Sequence, residues 1–167
     1  MTDLESAWGN LSTLVAEKSE TFAQELQAEQ DSGAEEATLR AAVIEAAYLV
    51  ANADGAVSDD EAATLSTGMW EVTGHTIDQD QIQSLFEVAM ARSEAEGADA
   101  RYAGVAADIE DEDWRRAALL VASAAAWRDG GVGVKQGLAL QKLAKAFGLS
   151  INELHTIMAQ AHGCFRG

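Results

Sequence analysis

The chain has 167 residues, no proline, one cysteine, and 28 acidic against 11 basic side chains, for a formal net charge of -17. This length suits one domain with a buried core. So acidic a surface repels nucleic-acid phosphates and anionic lipids, and the single Cys164 excludes an internal disulfide and a cysteine-rich metal site.

The sequence carries no signal for export or membrane insertion. The N-terminal stretch MTDLESAWGN lacks the basic region and the apolar core of a secretory signal. No apolar run reaches the roughly 20 residues that are needed to cross a bilayer. We therefore expect a cytoplasmic protein without a transmembrane segment.

The first half of the chain is predicted to be helical. Residues 1–32 form a leading amphipathic helix, because their apolar side chains recur mostly at spacings of three, four or seven. A second helix, residues 36–53, is apolar nearly all round and therefore belongs in the centre of a bundle. Ser58 and Asp78 are predicted to cap the next two helices, each with Glu or Gln three positions later as in a capping box.

The second half of the chain repeats the first. Residues 94–113 are polar and are predicted to be largely irregular, and a nearly all-apolar helix then ends in Asp-Gly, as in the first half. We predict an all-α, compact bundle of about seven to eight helices. It contains a leading helix (1–32) and two pseudosymmetric three-helix units, 36–97 and 110–163, in a single domain.

The two Asp-Gly sequences are the first candidate functional motif. Asp54 follows a helix, where the helix dipole disfavours a carboxylate by roughly 0.3–1 kcal/mol, and Asp129 repeats the arrangement. Either the carboxylate accepts a backbone N–H in a tight turn with glycine at positive φ, or a cation is shared with nearby carboxylates. A calcium-binding EF-hand loop does not fit, because its first ligand position falls on the apolar Val50.

The internal repeat helps to separate these two interpretations. Both halves keep Asp-Gly, whereas the acids at 59–61 become Val, Lys and Gln at 134–136. The extra acids of the first half are the better candidates for function, although acids are also favoured in a first helical turn for structural reasons. The candidate ligands for a divalent cation, calcium or magnesium, are Asp54, Asp59, Asp60, Glu61 and Asp129.

The remaining motifs do not define a catalytic site. The sequence contains no G-x-S-x-G elbow, no phosphate-binding loop and no H-E-x-x-H motif, so we predict no enzymatic activity and no catalytic residue. The acidic run at 108–113 extends a cation-attracting surface only if the fold brings it near Asp59. His162 and Cys164 supply too few ligands for a soft-metal site, and we expect them at an exposed helix end.

Two segments together resemble a known family. ANADGAVSDDEAATL and, about 75 residues later, AWRDGGVGVKQGLALQKLAKAFGLS resemble the TerB-like domains. These include tellurite-resistance TerB proteins and the N-terminal domain of a membrane-anchored DnaJ-type co-chaperone. The resemblance covers roughly residues 36–162. It implies an all-helical bundle with internal pseudosymmetry, a link to stress response, and an acidic face that binds divalent cations and protein partners at the inner membrane.

The resemblance carries over to individual positions unevenly. Asp54 and Glu61 match the family motif in the first half, and Asp129 matches its aspartate in the second. Gln136 stands where the family has glutamate, and Arg128 stands where it has alanine. At most one good metal site is therefore implied.

Three functions follow from these patterns. The first is a non-catalytic TerB-like protein, an acidic helical module that binds cations and docks components of a stress-response complex. The second is a pure scaffold or homo-oligomer, in which the leading helix packs Trp8 and Phe22 against another chain. The third is an enzyme that acts on a cationic substrate through paired acids such as Asp59 and Glu61.

Overall fold

Nine helices and one short β-ribbon make up the part of the chain that the structure, a computed structural model, describes: residues 3–27, 34–53, 55, 57–128 and 131–165. In chain order the elements are α1 (Asp3–Lys18), α2 (Glu20–Leu26), α3 (Ala34–Ala51), α4 (Asp59–Val72), α5 (Gln79–Glu96), α6 (Ala98–Asp108), α7 (Glu112–Ala125), β1 (Trp127–Arg128), β2 (Gly131–Val132), α8 (Val134–Ala146) and α9 (Ile151–Gly163). The predicted all-α fold class is confirmed.

Helices α3 and α7 pack along each other at the centre of the molecule. Every residue from 117 to 126 is buried, and in α3 from residue 39 onward only Ala41 and Tyr48 are partly exposed. Both helices are rich in alanine, which loses no side-chain entropy in a helix. The central position that their apolar sequences predict is therefore confirmed.

The other helices pack in the same order in both halves. Helix α5 packs against α3 as α9 packs against α7, and α4 contacts α5 as α8 contacts α9. The predicted three-helix units are thus α3–α5 and α7–α9. Each unit also has a further helix packed against it. Helix α1 packs against α4 and α7, and helix α6 makes the corresponding contacts with α8 and α3.

Helix α6 lies where an irregular segment was predicted, and that prediction is wrong. Its buried side chains have the same three-and-four spacing as those of α1, which makes the two helices equivalent. These buried residues are Trp8, Leu11 and Val15 in α1, and Tyr102 and Val105 in α6 together with Ile109 directly after its last residue.

The leading segment is two helices rather than one. The chain breaks at Ser19, whose Oγ accepts a hydrogen bond from the backbone N–H of Phe22 (3.2 Å) and caps α2. Trp8 and Phe22 are 1% and 0% exposed, inside the core of their own chain. The predicted homo-oligomer contact through these two side chains is therefore wrong, because their surface is already buried intramolecularly.

The β-ribbon joins α7 to α8 and was not predicted. Trp127 pairs with Val132, and Arg128 pairs with Gly131, in antiparallel register. The paired residues bracket Asp129 and Gly130, and Asp-Gly is a sequence that favours two-residue hairpin connections. Asp129 and Gly130 themselves lie outside the described residues.

Candidate functional site

The connection between α3 and α4 contains the first Asp-Gly sequence. Gly55 has φ = +92°, a left-handed conformation that favours glycine, and its N–H donates to the carbonyl oxygen of Asn52 (2.9 Å). This geometry agrees with the tight-turn interpretation of the motif. Asp54 lies outside the described residues, so the part that its carboxylate plays stays a prediction.

The predicted metal ligands are only partly visible. Asp59 is the first residue of α4 and its side chain is exposed. Glu61 completes a capping box: the N–H of Ser58 donates to Glu61 Oε1 (3.0 Å), and the N–H of Glu61 donates to Ser58 Oγ (3.1 Å). One carboxylate oxygen of Glu61 thus serves the helix terminus, as the capping prediction requires.

The remaining predicted ligands cannot be placed. Asp60 is part of α4, but its side chain lies outside the described part of the structure, as do Asp54 and Asp129 entirely. Among the side chains that the structure does describe, no group of three or more His, Cys, Asp or Glu is arranged to hold a metal ion. Metal binding at the first turn therefore stays a prediction.

The second acidic run lies away from the first turn. Its residues border a cavity of about 630 Å³ beside Thr38, near the start of α3, and Asp111 Oδ1 accepts the N–H of Trp114 (3.0 Å) to cap α7. Asn52 follows the other end of α3, about 20 Å away at 1.5 Å per residue. The run is therefore a charged helix start that does not extend the acids of α4.

A groove of about 280 Å³ lies between α3, α4 and α5, directly beside the Gly55 turn. Its walls include the buried Leu65 and Phe86 and the half-buried Tyr48, whose ring centroid is 6.3 Å from that of Phe86. These side chains lie on apolar stretches of three separate helices, so the sequence does not reveal that they form a groove together.

The rim of the groove is polar and acidic. Asn52, Glu87 and Met90 line its edge, and Met90 is 43% exposed although it is a large apolar residue. Burial, and secondly the carboxylate of Glu94, raise the pKa of Tyr48, so its hydroxyl stays neutral at physiological pH. None of the described residues that line the groove is basic. The groove therefore offers an apolar floor beneath a negatively charged edge.

A buried ion pair joins α3 to α6, with a further arginine from α5 beside it. Glu45 is 2% exposed and accepts hydrogen bonds from Arg101 Nε (2.6 Å) and Nη2 (2.8 Å), while Arg92 Nη1 lies 3.5 Å away. The hydrogen bonds to Glu45 raise the pKa of Arg101 above its ordinary value, so the guanidinium stays charged. The signal in the sequence is that Glu45 is the one charged residue within the apolar stretch 41–51 of α3.

The C-terminal end of α9 is packed rather than exposed. The prediction that His162 and Cys164 lie at an exposed helix end is therefore wrong. His162 is 8% exposed, and its ring centroid lies 4.7 Å from that of Trp127. The ring of Phe165 meets that of Trp8 edge-on and stacks on that of Trp127. Burial raises the pKa of the Cys164 thiol, which makes it a poorer nucleophile than an ordinary cysteine.

The chain has no match among protein-family models, curated proteins or solved structures. The resemblance to TerB-like domains thus depends on the two sequence segments alone. Across the described residues, no helix combines the length and apolar character that spanning a membrane requires.

Proposed function

We propose that this chain is a non-catalytic, TerB-like tellurite-resistance or stress-response protein of the cytoplasm. In this role an acidic helical body docks partner proteins, at the inner face of a membrane as the resemblance implies, and binds a divalent cation at the first Asp-Gly turn. The observation that carries the proposal is the apolar groove beside Gly55, with Glu87 on its rim, in a chain whose net charge is -17.

The size and lining of the groove favour docking over binding of a cofactor. Its 280 Å³ is at or below the smallest pockets that hold small-molecule ligands, about 300–1,000 Å³. Such a space suits one side chain of a partner. Met90 on α5 lines the groove and is 43% exposed, which adds accessible apolar surface at its edge.

Cation binding is expected to stabilise the fold. Calcium at 100 times its dissociation constant adds about 2.7 kcal/mol to the free energy of unfolding, which urea titrations with calcium, with magnesium and with a chelator will measure. Asp54→Asn is expected to remove most of the effect. Asp129→Asn is the matched control, because the second turn lacks the following acids.

Glu61→Gln distinguishes ligation from capping. Glutamine also completes a capping box, so the stability without metal stays near that of the wild type. A selective loss of the calcium response in this variant identifies Glu61 as a ligand. An unchanged unfolding curve with both metals, in the wild type as in the variants, would contradict the cation part of the proposal.

Docking is expected to place a partner within reach of the groove. A photo-crosslinking amino acid at the exposed Gln83, which lines the groove, should give a discrete crosslinked band in the native cells. The same probe at the exposed Gln141 on α8 is the control and should not give it. Identical band patterns from both positions, or none from Gln83, would contradict docking at this surface.

A further inference from the structure

The two halves of the molecule treat equivalent positions differently at this groove. The internal repeat places Trp127 at the position of Asn52, and His162 at the position of Met90. In the second half the half-buried indole of Trp127 packs against His162 at 4.7 Å and Phe165 at 6.4 Å, between centroids. The chain thus supplies its own aromatic side chain there.

In the first half the aromatic ring is replaced by the smaller Asn52, and the groove of about 280 Å³ lies beside it. A cavity of about 150 Å³ is enough to bind benzene, so the groove has room for an indole. Tyr48, one turn earlier on α3, and Phe86 on α5 provide aromatic walls for such a ring. The volume and the aromatic walls of the groove therefore suit an indole, with Tyr48 as a wall where the second half has Ser123.

The charges around the groove restrict what carries that ring. Glu87 lines the rim, and Glu94 lies close enough to Tyr48 to raise the pKa of its hydroxyl. The nearest arginine on α5, Arg92, points its guanidinium at the buried Glu45 instead. A ligand with positive charge next to its aromatic ring is therefore favoured over a neutral or acidic one.

We propose that the groove between α3, α4 and α5 binds a tryptophan side chain presented by a basic segment of a partner protein. This inference depends on the docking function proposed above and specifies its chemistry. The incoming indole takes the place that Trp127 takes in the second half, and the lysines or arginines next to it meet Glu87 and Glu94.

Tryptamine, a cationic indole, tests the chemistry directly. Titrated into the full chain, it is expected to shift the backbone amide resonances of Tyr48, Asn52, Phe86 and Met90. Indole-3-propionate has the same ring with the opposite charge and should bind more weakly, by up to about fivefold, the range that surface charge pairs give. Added salt should narrow that difference.

Two substitutions block the groove in different ways. Asn52→Trp copies the second half and is expected to fill the space from within, and Met90→Lys places a positive charge, which repels a cationic ligand, at an exposed edge that tolerates it. Both should abolish the tryptamine shifts. Leu138→Lys on α8, similarly exposed at 51%, is the matched control and should leave them unchanged.

The proposal is overturned if tryptamine gives no shifts at about 10 mM, ten times a dissociation constant of about 1 mM. It is equally overturned if the shifts map to another surface or persist in Met90→Lys. Crosslinks from Gln83 without tryptamine binding would support docking of a partner at this surface and would refute only the proposal that the groove binds a tryptophan side chain. Tryptamine binding at the groove without crosslinks would support the indole site and refute the docking function.

Discussion

Arg101→Leu is expected to destabilise the fold by about 3–5 kcal/mol, because it leaves the carboxylate of Glu45 buried with only the long contact to Arg92. The Glu45 side chain is 3% exposed and the Arg101 side chain 11%, and two short hydrogen bonds join them. A domain of this kind has a total stability of about 5–15 kcal/mol. The loss therefore amounts to a large share of the whole, and urea unfolding monitored by circular dichroism will measure it.

The same ion pair offers two controls. Arg92→Leu removes a cation that is 46% exposed and 3.5 Å from Glu45, so its cost should stay within about 1 kcal/mol. The double variant Glu45→Leu/Arg101→Leu removes both charges and should recover most of the stability. Equal costs for the two single arginine variants would show that the pair is not the cause.

Trp8→Ala is expected to cost about 3–5 kcal/mol, the range for deleting a buried aromatic side chain. Trp8 is 1% exposed and meets the ring of Phe165 edge-on at 5.4 Å. Its indole also lies against Gly68 on α4, where any added Cβ would overlap the six-membered ring. The contact joins α1, α4 and the C-terminal segment, so its loss should lower both the thermal midpoint and the free energy of unfolding.

Gly68→Ala tests the tight contact from the other side. Alanine favours a helix over glycine by about 1 kcal/mol, but the overlap with Trp8 should cost about 1–3 kcal/mol and make the variant less stable. Gly137→Ala in α8 is the matched control, since its Cβ would meet nothing within 4 Å, and it should be stabilising. In a Trp8→Leu background the penalty of Gly68→Ala should shrink; a penalty unchanged there would rule out the indole as its cause.

Local signals in the sequence predicted the helices and their caps well. The capping boxes at Ser58, Asp78 and Ser150 are all present, because they depend on residues only three positions apart. The central place of α3 and α7 followed from their apolar composition. Helix α6 was missed because its buried Tyr102 and Val105 stand among alanines and charged residues, which weakens the periodic pattern.

The groove depends on tertiary structure and so escaped prediction. The sequence places Tyr48 and Phe86 on apolar stretches, which predicts that both are core residues. The space between them arises from the positions of α3 and α5 relative to α4, which the sequence does not give. The predicted metal ligands follow from residue spacing at the two Asp-Gly turns. The structure assigns Glu61 a capping hydrogen bond, while Asp54 and Asp129 lie outside its described part.

Because the arrangement of helices is doubled, the same helix contact occurs twice in one chain and can be made by different residues in each half. By the spacing of the repeat the buried Glu45 corresponds to Leu120, and by the match between α6 and α1 its partner Arg101 corresponds to Ala7. Leu120 and Ala7 are both buried and apolar. In a symmetric homodimer a single substitution changes both copies of a site at once. In this single chain each half can change its residues independently. One half can therefore keep a closely packed interior while the equivalent positions of the other half change to bind a partner.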